Sequence, residues 1–139
     1  MRTQIPDREM MNFKFFLLAF VTMFAESAWA GWTFVTNSDE TSQYQYFLDF
    51  ETLRIEGNER RIWQLVNHSS TNKYGWSSMR SRNLYECKND TVQILTMQTF
   101  AEPFANGKEV GIESRSPGSK SDVPPNTVGW KILKEVCKR

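Results

Sequence analysis

The chain has 139 residues with 17 Lys and Arg against 16 Asp and Glu, a net charge of +1, and 40% hydrophobic residues. This balance excludes the bulk electrostatic attraction with which strongly basic proteins hold nucleic acid or an anionic membrane surface. No charge block, internal repeat or low-complexity tract marks a second unit.

Positions 1–10 (MRTQIPDREM) are polar and carry charges of both signs, a lead that an export signal does not need, so Met11 is an alternative start. Asn12 and Lys14 then open onto an apolar run from Phe15 to Ala25, followed by Glu26-Ser27-Ala28-Trp29-Ala30. A positive lead, a short apolar core and an Ala-x-Ala ending form the layout of a signal peptide. The run is about half the roughly 20 residues that a membrane-spanning helix needs. Cleavage is expected after Ala30, giving a signal peptide over 1–30 and a single domain over 31–139. Gly31 stands where a lipid-bearing cysteine would stand, so no stable membrane anchor is expected after cleavage. The product is expected in the periplasm, at the cell surface or secreted.

Five or six segments read as strands, because β-branched and aromatic residues cluster between turn formers. Trp32–Thr36 precedes the polar turn Asn37–Glu40, and Tyr44–Asp49 follows. Asp49–Arg54 looks like a turn or single helical turn, with Leu53 and Ile55 dropping into the core before the turn Glu56-Gly57-Asn58. Arg60–Asn67 is a strand whose centre, Ile62–Val66, should be interior. After the polar stretch His68–Gly75, Ser77–Cys87 and Thr91–Phe100 make an antiparallel hairpin around Lys88-Asn89-Asp90. Glu102–Lys108 reads as a loop, Val110–Arg115 as a last short strand, and Ser116–Pro125 as a mobile surface loop.

The period then changes. Asn126 or Thr127 can cap a helix in which Gly129, Ile132, Leu133, Val136 and Cys137 share one side, with Lys131, Lys134, Glu135 and Lys138 opposite. So short a helix is marginal alone and should pack its apolar side on the sheet. The two cysteines, Cys87 and Cys137, form an even pair in a chain bound for an oxidising compartment, where thiols normally join. The alternatives are two free buried thiols, disfavoured by the export signal, and a zinc site, for which two cysteines and one distant histidine fall short of four ligands. The expected architecture is α+β: a single antiparallel β-sheet of about six strands with a C-terminal α-helix tied to it by a disulfide.

These segments resemble the bacterial surface-adhesin protein E-like domain family. The resemblance is carried by Trp32, by Tyr46-Phe47-Leu48-Asp49 leading to Thr52-Leu53-Arg54, by Ile62-Trp63-Gln64-Leu65, by Ser81–Asn89 (SRNLYECKN), and by the ending Val128–Cys137. Together they span nearly all of the expected mature chain. The resemblance implies a six-stranded antiparallel sheet with a disulfide-tied C-terminal helix and an envelope or surface location. It also implies an adhesin that binds host matrix and plasma proteins and can form a homodimer.

Catalytic chemistry finds little support. His68 is the only histidine and lies in the polar run HSST, with no nucleophile-elbow pattern beside it. Asp49, Glu51 and Glu56 sit near turns, where carboxylates are usually just solvated. No glycine-rich phosphate loop or metal-ligand cluster accompanies them. The catalytic, metal and cofactor sets are therefore expected to be empty, and the protein is expected not to be an enzyme. Trp63 and Trp130 read as core residues. Tyr74 and Trp76, beside a polar loop, with Arg80 and Arg82 two apart on a strand, are the candidate contact surface, since aromatic and arginine side chains dominate binding hot spots. Arg60-Arg61 would extend a basic strip. Asn67-His68-Ser69 and Asn89-Asp90-Thr91 match a glycosylation sequon but read as chance turn sequences. The expected function is a non-enzymatic envelope protein that binds a host matrix protein or an envelope macromolecule. The competing reading is a periplasmic inhibitor or small-ligand carrier.

Overall fold

A computed structural model describes residues 31–38, 43–113 and 118–139. The expected signal peptide, with its apolar run, lies outside the described residues. Six strands follow one another in space as in sequence: β1 (Trp32–Asn37), β2 (Tyr44–Glu56), β3 (Glu59–His68), β4 (Ser78–Glu86), β5 (Thr91–Phe100) and β6 (Glu109–Glu113). Every pairing is antiparallel, and a two-residue strand, β7 (Ser121–Asp122), pairs with Val92 and Thr91 of β5. The one α-helix among the described residues, α1 (Val128–Cys137), closes the fold. The expected α+β architecture is the observed one.

Alternation along the strands sends side chains to two faces. Leu48, Ile62 and Tyr85 on one face meet Ile132, Leu133 and Val136 of α1, all at most 3% exposed. This is the helix face. Thr127, one of the two expected caps, accepts a hydrogen bond at its Oγ1 from the Trp130 N–H at 3.1 Å and so satisfies a free helix donor. The disulfide joins Cys87, just beyond β4, to Cys137 in the last turn of α1 across a separation of 50 residues. It pins the helix to the sheet at the end where the helix carbonyls run out of partners.

Three local expectations need correction. Asp49–Arg54 is neither a turn nor a helical turn but part of the continuous strand β2, interrupted by a bulge. Leu53 does pack against the core, but Ile55 is 53% exposed, opposite Arg60 near the end of the hairpin. Within the stretch expected as a mobile loop, Ser121 and Asp122 form β7 and Val123 is buried in the helix-face core. Val123 anchors that segment together with its N–H, which donates to the Asp90 carbonyl at 2.8 Å.

Candidate functional site

The other face of the sheet, here the far face, carries the polar and aromatic side chains. Cross-strand register sets them in rows: Arg54 opposite Arg61, which is opposite Leu84; Asp49 opposite Trp63, opposite Arg82; and Phe47 opposite Leu65, opposite Arg80. The 3-10 turn Pro103–Ala105 packs over one end of this face. There Ser78 Oγ donates to the Glu102 carbonyl and accepts from the Ala105 N–H, and Asn67 Oδ1 accepts from the Phe104 N–H at 2.9 Å. Phe104, held at φ +58°, meets Phe47 edge-on at 5.3 Å.

At the opposite end lies a cleft of about 300 Å³. Its wall is the β2 bulge. Asp49 pairs with Trp63 and Arg54 with Arg61, so four β2 residues bulge out opposite Ile62 alone. Thr52 ties this excursion to β3: its hydroxyl donates to the Asp49 carbonyl at 2.7 Å and accepts from the Trp63 N–H at 3.1 Å. Bulges of this kind re-aim side chains beside binding sites. Here the bulge gathers Arg54, Arg61, Trp63 and Arg82 around one opening.

The cleft is lined by charges of both signs. Three guanidiniums face the carboxylates of Asp49 and Glu51. Asp49 is buried and accepts the Glu51 N–H at 3.1 Å with its Oδ1. Glu51 lies against Gly31, with its Cδ 3.2 Å from where a Cβ would stand on that glycine. Arg61 approaches Glu56 at 3.7 Å, beyond hydrogen-bond length, and its buried Nε has no acceptor. Arg82 is exposed and has no hydrogen-bond or ion-pair partner among the described residues.

The four residues expected as a contact surface are split. Arg80 and Arg82 share the far face as expected. Arg80, however, is engaged: its guanidinium lies 5.6 Å from the Trp63 ring and 5.1 Å from the Phe100 ring, and its Nε donates to Gln98 Oε1 at 2.7 Å. Tyr74 and Trp76 sit apart, on the connection between β3 and β4. Tyr74 is 69% exposed with Lys73 over its ring at 4.9 Å. Trp76 is half-buried, 6.3 Å from the His68 ring. Trp130 packs on the core as expected, whereas Trp63 is half-buried in the cleft, because its parity along β3 points it away from the helix. Arg60 leaves the expected basic strip because its parity is the opposite one, and it reaches the Arg139 carbonyl with Nε at 3.2 Å.

His68 closes β3 instead of lying in a loop. Its ring meets Tyr44 at 4.6 Å, and Nδ1 accepts from the Ser70 N–H at 3.1 Å. On the helix face, Tyr85 Oη donates to Gln64 Oε1 at 2.6 Å, and Asn83 Nδ2 donates to the same oxygen at 3.0 Å. Burial pushes the Tyr85 hydroxyl up to about 12, partly opposed by its hydrogen bond with Asn83. No group of three or more metal-ligating side chains occurs among the described residues.

Sequence reasoning missed Arg54 and missed the cleft itself. The i, i+2 rule does place Arg61 beside Trp63 on one face. It could not bring Arg54 opposite them, because the bulge breaks the period between Asp49 and Arg54.

The model of the family described as surface-adhesin protein E matches residues 32–138. Comparison with curated protein sequences gives no match. Among solved structures, crystal form II of Haemophilus influenzae protein E is similar with a TM-score of 0.61 at 14% identity, over 78% of this chain and 88% of that one. The selenomethionine form of the same protein gives 0.59 at 13% identity, over 79% and 88%. Protein E from non-typeable Haemophilus influenzae gives 0.57 at 14%, over 78% and 76%. At such identities the likeness is one of fold.

Proposed function

Since the chain belongs to the surface-adhesin protein E family, we propose that it is a non-enzymatic, adhesin-like protein of the bacterial envelope that binds a protein partner through the far face of its sheet. The observation that carries this reading is the arginine- and tryptophan-lined cleft on that face, opposite the side occupied by the helix and its disulfide. Interfaces concentrate their energy in aromatic and arginine side chains set in partly closed depressions. The helix and its disulfide cover the helix face, and the cleft end of the far face is left open for recognition. Export through a signal peptide cleaved after Ala30 belongs to the same proposal, as does a periplasmic or surface location.

The test has two arms. Cell fractionation and surface labelling of an epitope-tagged chain in its own host should place it outside the cytoplasm, with an N-terminus at Gly31. The exported protein should then bind immobilised host matrix proteins or an envelope component, and Arg82→Ala should weaken that binding. Retention in the cytoplasm, or no binding to any of these, would reject the reading.

A further inference from the structure

We propose that the cleft beside the β2 bulge is a carboxylate-recognition site whose ligand is an acidic side chain on the protein partner. The inference rests on the adhesin-like reading for the source of the carboxylate, and on the cleft alone for its chemistry.

Arg54 and Arg61 are direct cross-strand partners. Like charges set opposite one another destabilise a strand pair, and an anion held between them reverses the sign. Arg61 Nε is buried without an acceptor, and Glu56 at 3.7 Å does not supply one. A buried charged donor left unmet is costly, which makes this atom a point of attraction for an incoming oxygen. Arg82, diagonally across from Arg61 on the neighbouring strand, offers a whole guanidinium fork with no partner among the described residues. That fork, with the unmet Arg61 Nε on the neighbouring strand, matches the planar, two-oxygen geometry of a carboxylate.

The cleft also limits the ligand. Asp49 and Glu51 line it, so a multiply charged phosphate or sulfate would meet repelling carboxylates more strongly than a singly charged group does. Trp63 on the same wall offers a flat apolar surface for the methylene stem of a glutamate. A volume of about 300 Å³ accepts a side chain and its immediate backbone, not a folded unit.

The experiment titrates the exported full-length protein, purified after processing, with a glutamate-rich decapeptide, with the same peptide carrying Gln in place of every Glu, and with inorganic phosphate, followed by calorimetry. The Glu peptide should bind at least about tenfold more tightly than the Gln peptide, a difference of one charge-assisted pair. Its affinity should fall as salt rises. Arg82→Ala should weaken it several-fold with an unchanged thermal midpoint, since Arg82 supports no other contact, and Arg82→Lys should recover only part of the loss. Equal affinity for the two peptides, indifference to Arg82→Ala, or tighter binding of phosphate than of the Glu peptide would overturn the assignment. Binding to matrix proteins without binding to the Glu peptide removes this inference and leaves the adhesin-like reading standing. The converse result leaves the cleft standing and removes the adhesin-like reading.

Discussion

Raising the pH from 8 to 12 should destabilise the wild-type protein more than a Tyr85→Phe variant, by an amount set by one buried phenol. Tyr85 is 3% exposed under the helix, and burial lifts its hydroxyl from 10.0 to about 12. Between those values the unfolded chain has lost the phenolic proton and the folded chain retains it. Stability is therefore whole below pH 10 and drains away as the pH rises toward 12. Wild type should therefore lose on the order of 1 kcal/mol more than the variant at pH 11, and more again as the pH passes 12. Urea unfolding midpoints for both proteins at pH 8 and pH 11 give the difference directly, and titration of the other tyrosines and the lysines cancels. At pH 8 the variant should lose only about 1 kcal/mol, because Gln64 Oε1 keeps its bond from Asn83. Equal alkaline losses in the two proteins would mean that the phenol is not sealed under α1, and the helix-on-sheet packing would be refuted.

The disulfide closes a loop of 50 residues containing β5, β6, β7 and α1. In the chain-entropy account, replacing both Cys87 and Cys137 by Ala should cost about 4 kcal/mol, read as a drop in the urea midpoint; a loss under about 1 kcal/mol would show that helix packing alone holds the end of the chain. Thr127→Ala removes the acceptor for the Trp130 N–H and should cost about 1 kcal/mol, checked by thermal unfolding followed at 222 nm. Thr52→Val deletes both bonds that fasten the bulge and leaves the Trp63 N–H unmet. It should cost about 1–2 kcal/mol and speed hydrogen exchange at Trp63 while leaving exchange in α1 unchanged.

Most of the architecture was legible in residue order, and the reason is periodicity. The hairpin of β4 and β5 stood out because β-rich segments flank Lys88-Asn89-Asp90, and Asp90 takes the left-handed conformation there with φ +52°. The helix announced itself by Ile132, Leu133 and Val136 at helical spacing behind Thr127. Local reasoning failed where a contact distant in sequence overrode local pattern. Ser121 and Asp122 look like linker residues, yet Val123 is drawn into the core under α1 and carries them onto the edge of β5. Tyr74 and Trp76 looked like companions of Arg80 and Arg82 because they are near in sequence, but strand length separates a loop from a sheet face.

The sequence by itself determined the meander of strands, the capped C-terminal helix and the pairing of Cys87 with Cys137, because each follows from a short repeating pattern or from a count of two. Only the tertiary structure decided the cleft. Its arginines come from β2, β3 and β4, and whether they face one another depends on register. The bulge between Asp49 and Arg54 shifts that register by residues that carry no signature of their own. A strand's period of two makes every side chain's face sensitive to a single inserted residue, so sequence order could propose arginines for a surface but could not say which of them meet.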